Sequence, residues 1–163
     1  MILTTHAITG ATVATLVPTH PVLGFALGFG SHFVLDSIPH WDYHLSSMKG
    51  DKKNPMDTDM ILNKDFLKDL IKIGLDGMLG VSLALFLLGT LYHNSFFIIL
   101  LGAIAGMMPD ALQFFYFKWK HEPLISLQKF HIWVHPKTSL HDKPFIGVLS
   151  QVVFIILIIF LLK

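Results

Sequence analysis

The chain has 163 residues, enough for one domain, and it is 53% hydrophobic and only 14% charged, with a mean hydropathy of +0.61. This composition excludes an ordinary soluble domain, and the net charge of +1 without a basic stripe argues against a nucleic-acid binder. The absence of Cys excludes disulfides, thiolate catalysis and a cysteine zinc site. We therefore expect residues 1–163 to form a single integral membrane domain.

Five apolar segments predict helices, because backbone polar groups in lipid must be satisfied within their own segment. The first segment is short and is followed by a turn at Pro18, and the second ends before Pro39. Polar residues at helical spacing from Asp65 onward predict that the third helix begins ahead of the membrane, and a tight turn at His93-Asn94 follows it. The segments are residues 2–17, 22–38, 73–92, 95–117 and 145–162.

Two polar stretches separate the apolar segments. Residues 39–65 are rich in Lys, Asp, Asn and Pro and predict a mobile loop. Residues 118–144 contain "EPLISLQKFHIWVH", in which Leu124, Leu127 and His131 fall near one helical face. That pattern predicts an interfacial amphipathic helix. The predicted fold class is therefore all-α, a polytopic membrane bundle of about five hydrophobic helices plus one interfacial amphipathic helix.

The two sides of the predicted bundle differ in their lysine content. Tracing five crossings puts both long polar stretches on one face. Ten of the 12 Lys lie in or beside these stretches, Lys72 lies at the same boundary, and only Lys163 is on the other face. The positive-inside rule makes the lysine-rich face cytoplasmic. We expect a multi-pass protein of the cell (inner) membrane. A re-entrant first segment would change only the placement of residues 1–18.

Ionisable residues collect at the cytoplasmic end of the predicted helices. His32 and Asp36 are four residues apart on one helical face, and Asp76 and Asp110 lie at a similar depth. An ionisable group alone in hydrocarbon is costly, so these residues and His6 are expected to meet around one site. An intrahelical hydrogen bond would also neutralise His32 and Asp36. His40 and Asp42, directly after Pro39, favour a metal instead.

Other residues of the cluster admit simpler interpretations. Three glycines flank Asp76, which is typical of close helix packing, although packing does not explain the aspartate. Asp110 follows Pro109 and could be a solvated carboxylate at a helix kink. His131 and His135 are again four residues apart, where headgroup-level solvation accounts for them equally well.

Three stretches, "TTHAITG", "SHFVLDSIPHWD" and "GMMPD", resemble the YdjM-like family of bacterial integral-membrane proteins, which are identified as metal-dependent hydrolases and are distantly similar to zinc-dependent phospholipase C. The resemblance covers the first 44 residues and residues 102–116. It implies a small helical membrane domain with a hydrolytic metal site. The positions that it carries over as metal ligands are His6, His32, Asp36, His40 and Asp110. The chain departs from the family in "PDALQ" and in "HIWVH", where longer motifs are usual.

These observations lead to two functional hypotheses. The first is a membrane-embedded hydrolase that uses a divalent metal, Zn²⁺ by expectation, on a phosphoester or phosphodiester of a lipid. His131 and His135 would complete its ligands, and Asp76 or Asp42 would act as general base. The second is a non-enzymatic protein, for metal or proton translocation or for assembly, that uses the same cluster. The expected partner is membrane lipid, and the sequence leaves a homo-oligomer open.

Overall fold

The computed structural model describes residues 1–50, 54–90, 93, 95–136 and 140–161. Within these residues the chain is almost entirely helical, as predicted, with one small β-hairpin. The elements in chain order are α1 (Leu3–Ala14), α2 (Pro21–Asp36), β1 (Met48–Lys49), a 3₁₀ turn (Pro55–Asp57), β2 (Asp59–Met60), α3 (Lys64–Ala84) with a π-helical extension (Leu85–Thr90), α4 (Phe96–Lys118), α5 (Leu124–Val134) and α6 (Pro144–Leu161).

Helix α1 lies at the centre of the bundle. It packs against α2, α3, α4 and α6, and nearly all of its residues are buried. Its 12 residues span only about 18 Å at 1.5 Å per residue, well short of a hydrocarbon core of about 30 Å. The first apolar segment is therefore a core helix that is too short to cross a membrane by itself.

Glycines allow α1 and α4 to approach at backbone contact. A Cβ built on Gly102 would lie 2.8 Å from the Cα of Ala11, and one built on Gly10 would lie 2.9 Å from the Cα of Gly106. Only residues without a side chain fit at such positions. This close approach brings the first turns of α1 beside the C-terminal half of α4, where the predicted site lies.

In the part of the chain that the structure describes, two helices are long and apolar enough to cross a membrane. They are Lys64–Thr90, which comprises α3 and its extension, and Phe96–Lys118, which is α4; the stretches Pro21–Asp36 and Pro144–Phe160 are shorter apolar helices. The early start predicted for the third helix is confirmed, because α3 begins at Lys64. Residue 93 has a φ of 53°, as in a turn, whereas Asn94, the other residue of the predicted tight turn, lies outside the described residues.

The polar stretch predicted as a mobile loop contains a hairpin that the sequence pattern did not predict. Met48 pairs with Met60 and Lys49 with Asp59 in antiparallel register. Polar contacts attach the hairpin to the helices: the backbone N–H and hydroxyl of Ser47 both donate to Asp69 at 2.7 Å. Met60 is also buried against Tyr116 and Phe117. Strands of 2 residues each are too short to show an apolar periodicity in the sequence.

Helix α6 contacts the bundle through apolar side chains such as Ile155 and Ile159 and through one amide. The Oε1 of Gln151 accepts hydrogen bonds from Ile2 N at 3.2 Å and from Thr5 Oγ1 at 3.0 Å. Its Nε2 donates to Trp41 O at 2.9 Å. Because Gln151 is buried in an otherwise apolar helix, these bonds fix α6 against α1 and against the segment that follows α2.

The glycine contact gives a prediction with a matched control. Gly102→Ala should destabilise the protein by about 1–3 kcal/mol, because the new methyl group overpacks the α1–α4 contact. Gly30→Ala should be neutral or stabilise by about 0.5–1 kcal/mol, because a Cβ there meets no atom within 4 Å and alanine is the better helix former. Unfolding of the two variants in detergent measures the difference; equal stability would contradict the packing described for α1 and α4.

Candidate metal centre

The carboxylate of Asp36 is the centre of the site. Only 1% of its side chain is exposed, and a buried carboxylate without partners would be strongly destabilising. The nitrogen atoms that face its two oxygens are His131 Nε2 at 2.9 Å, His32 Nε2 at 3.0 Å, the Met1 amino group at 3.1 Å, His6 Nε2 at 3.2 Å, His135 Nε2 at 3.3 Å and His40 Nε2 at 3.9 Å.

Separate parts of the chain supply these groups. Helix α2 carries His32 and Asp36 one turn apart, and the turn at Pro39 folds His40 back towards them. Asp110, on α4, lies with Oδ1 3.6 Å from His32 Nε2. Helix α5 closes the site with His131, and His135 follows at its C-terminal end. Six of the seven residues predicted as metal ligands therefore lie around the carboxylate of the seventh, Asp36.

The donor atoms form two groups that share Asp36. Within each group the atoms lie within 4.8 Å of one another, close enough for one ion. The first group is His32, Asp36, Asp110 and His131, and the second is Asp36, His40 and His135. These buried His and Asp side chains could hold a metal ion, and the shared carboxylate could bridge two.

The orientation of two imidazoles fits metal binding. His32 Nδ1 lies 2.8 Å from Gly106 O, and His40 Nδ1 lies 2.7 Å from Ile38 O. A carbonyl oxygen only accepts, so each Nδ1 must carry a proton and each neutral ring then presents an unprotonated Nε2 to the site. Backbone carbonyls orient metal-binding histidines in this way. Lone pairs facing the Asp36 carboxylate would repel it without an intervening proton or cation.

The spacing of the donor atoms also fits an ion. Two ligands of a tetrahedral zinc ion lie about 3.3 Å apart when their bonds are about 2.0–2.1 Å long. The Nε2 atoms of His32 and His131 are 3.3 Å apart, and the Nε2 of His32 is 3.0 Å from Asp36 Oδ2. Two imidazole nitrogens at this distance gain little from each other, whereas one cation satisfies both.

His6 belongs to the inner side of the site. It is completely buried, and its ring stacks on that of His32 with 3.9 Å between centroids. Neither ring nitrogen makes a hydrogen bond of acceptable geometry to a described residue, although Nε2 lies 3.2 Å from Asp36 Oδ1. A buried imidazole without such a bond is unusual, and it adds to the evidence for a ligand at this position.

Asp42 lies at the outer edge of the centre. Its carboxylate is 3.0 Å from His40 Nε2 and 3.0 Å from the Met1 amino group, and 34% of its side chain is exposed. Burial alone would raise its pKa, but a hydrogen bond from a protonated His40 Nε2, which a metal ion there would replace, and the charge of the amino group hold that pKa well below its usual range. Asp42 is therefore an ionised carboxylate that reaches solvent.

Asp76 has a different environment from the other carboxylates. It accepts hydrogen bonds from Leu3 N at 2.7 Å, from Thr4 N at 3.1 Å and from the Thr4 hydroxyl at 2.6 Å, so it caps the N-terminus of α1. The Tyr43 hydroxyl donates to it at 3.1 Å. Burial and the charge of Asp76 raise the pKa of Tyr43, which keeps this phenol a donor. Among the described residues, Asp76 belongs to neither group of donor atoms.

A cavity of ≈ 1090 Å³ opens beside the centre. Asp42, Asp110, His131 and His135 belong to its lining, most of the rest of which consists of apolar side chains of α3 and α4. The donor atoms are thus reachable from a largely apolar space as well as enclosed by the helices.

Two contributors to the site's framework were absent from the sequence prediction. Tyr43 orients Asp76, and Gln151 positions the start of α1. A lone amide in a long apolar helix was a signal for Gln151, because such a group needs a buried partner. Tyr43 carried no such signal, since a tyrosine in a polar stretch is commonplace.

Comparison of the chain with protein-family models, with curated proteins and with solved structures finds no match in any of the three. Function is accordingly inferred from the geometry of the site.

A metal at this centre predicts the behaviour of two ligand variants. His131→Ala and Asp36→Asn should lower the content of tightly bound divalent metal by about tenfold or more, because each removes a donor atom of the first group. Elemental analysis of detergent-purified protein, stripped with chelator and reloaded with Zn²⁺, measures the content.

His121→Ala is the matched control, since His121 is exposed and lies outside both groups. It should bind as much metal as the unmodified chain. Equal metal content in all four proteins would show that the cluster is a hydrogen-bonded network and not a metal site.

Proposed function

We propose that the protein is a membrane-embedded, metal-dependent hydrolase that acts on a phosphoester or phosphodiester of a lipid at the cytoplasmic membrane face. The observation that carries the proposal is the convergence of imidazole Nε2 atoms and carboxylates beside a largely apolar cavity. Such a combination suits a substrate with a phosphate head and an apolar body. The resemblance of the first 44 residues to YdjM-like metal-dependent hydrolases supports the same activity.

The proposed membrane arrangement is a multi-pass bundle. Helices α3 and α4 cross the membrane, and α2 and α6 complete the bundle around the central α1. Helix α5 lies at the interface, where it exposes Trp133 and Phe130 on the side opposite His131. That amphipathic distribution supports an interfacial position. The lysine-rich segments place the site on the cytoplasmic side.

Zn²⁺ is the ion that we propose for the centre, because imidazole and carboxylate donors at these spacings suit it. When bound, it supplies a Lewis acid that activates water and stabilises charge on phosphoryl oxygens. His32, Asp36, Asp110 and His131 would hold one ion. Asp36, His40 and His135 could hold a second.

Asp42, Asp76 and the nearby lysines would have separate roles in the reaction. Asp42 lines the cavity and is partly exposed, so its carboxylate is placed to accept a proton from the attacking water. Asp76 is occupied by the hydrogen bonds that cap α1, and we assign it a positioning role instead of that of the base. Lysines near the rim would attract anionic headgroups, each contributing about 1 kcal/mol near the surface.

The proposed orientation has a direct test. A cysteine introduced at position 50 should resist a membrane-impermeant maleimide in intact cells and react after lysis, because the hairpin lies on the cytoplasmic side. The chain has no native Cys, so any labelling reports this site alone. Labelling in intact cells would invert the topology and remove the cytoplasmic assignment.

The hydrolase proposal predicts metal-dependent turnover of a lipid phosphate. Purified, Zn²⁺-loaded protein should release product from at least one member of a panel of phosphatidic acid, phosphatidylglycerol and isoprenoid phosphates. Asp42→Asn should lower kcat by about 10²–10⁴-fold, the usual contribution of a general base, while metal content stays unchanged.

The His121→Ala variant is again the control for that assay and should turn over at the unmodified rate. Full metal occupancy without turnover of any lipid would contradict the proposal. Liposome flux of Zn²⁺ or H⁺ that requires Asp36 would establish translocation in its place.

A further inference from the structure

The cavity beside the centre has a mixed lining. The lining includes Asp42, Asp110, His131 and His135 as well as apolar side chains such as Leu70, Met78, Val81 and Met107. On α3 its lining runs from Phe66 to Ser82, which is about 24 Å of helix at 1.5 Å per residue. The cavity is therefore long and mostly apolar, with His and Asp side chains in one part of it.

The cavity opens on the outer face of α3. Leu70 and Met78 line it and are also 49% and 68% exposed. Helix α3 packs mainly against α1 and makes fewer contacts with α4, so the space between α3 and α4 is left unfilled. In a membrane this opening faces hydrocarbon, because α3 is one of the two helices long enough to span.

Small residues of α3 keep the cavity wide. Gly74 and Gly77 both line it. A Cβ built on Gly74 meets no atom within 4 Å, whereas one built on Gly77 reaches Met107 Sδ at 3.5 Å. No neighbouring backbone requires a glycine at position 74, in contrast to Gly102. The open space in front of Gly74 is available to a ligand.

We propose that this cavity binds one acyl chain of an anionic membrane lipid, with Gly74 and Gly77 setting the room available to that chain. The apolar lining matches the chain, and the His and Asp side chains in one part of it, which could hold a cation, would then complement an anionic phosphate headgroup. The lipid enters sideways between α3 and α4 and places its phosphate beside Asp42 and Asp110. The headgroup part rests on the proposed function, while chain binding stands on the cavity itself.

Photocrosslinking tests the proposal on the full chain in lipid nanodiscs. The probe is phosphatidic acid with a diazirine near the end of one acyl chain. Crosslinks should concentrate on the segment from Met78 to Ser82, which lines the apolar part of the cavity. Unlabelled phosphatidic acid should displace the probe, and inorganic phosphate, which has no chain, should not.

Two tryptophan variants give the decisive comparison. Gly74→Trp should reduce this crosslinking by about tenfold or more, because the indole occupies the ligand's volume. Gly30→Trp is the matched control: Gly30 is also an exposed helical glycine with no atom within 4 Å of a built Cβ, but it does not line the cavity. It should crosslink as the unmodified chain does.

The series Gly74→Ala, Gly74→Leu and Gly74→Trp guards against a folding artefact. Crosslinking should fall with side-chain size while metal content remains constant.

Undiminished crosslinking in Gly74→Trp, or crosslinks spread evenly over exposed residues such as Val22 and Leu75, overturns the proposal. Size-dependent crosslinking without any lipid turnover upholds the acyl-chain site and rejects only the hydrolase. Turnover that is unaffected by Gly74→Trp upholds the hydrolase and rejects the acyl-chain site.

Discussion

The burial of the Asp36 carboxylate is the constraint on which the rest of the structure depends. A negative charge with 1% exposure is stable only where positive or hydrogen-donating groups surround it. Helices α1, α2 and α5 and the turn after Pro39 each supply an imidazole to this one group. A bundle arranged in any other way would leave that carboxylate, and several buried imidazoles, without compensation.

Close helix packing makes this convergence possible. The imidazole of His6 reaches Asp36 because α1 packs closely against α2, where a Cβ built on Gly28 would lie 3.4 Å from Gly10 O. The close packing of α2 on α4 presents Gly106 O to His32 Nδ1 and so sets the orientation of that ring. The positions of the polar side chains at the centre therefore depend on the small residues of the core. Asp76 contributes from outside by capping the first turn of α1.

Sequence reasoning reached the site more accurately than the framework around it. The cost of burying charge made His32, Asp36 and Asp110 predictable as neighbours, because few arrangements relieve all of them together. The helices were predictable from the apolar segments, because backbone polar groups in lipid must be satisfied within their own segment. The central position of α1 was not predictable, since a short apolar segment fits a span and a core helix equally well. The hairpin at Met48 was missed because polar contacts such as Ser47 with Asp69 leave no periodic pattern.

The position of α5 in the chain has a consequence for the order of assembly. His131 follows Asp36 by 95 residues and approaches it from a separate helix. During synthesis, α1, α2 and α4 can meet before α5 has left the ribosome, so Asp36 and Asp110 first come together in a half-built pocket that is open on one side. Docking of α5 is the step that encloses it. The cluster is thus completed by α5, which follows α1, α2 and α4 in the chain and precedes α6.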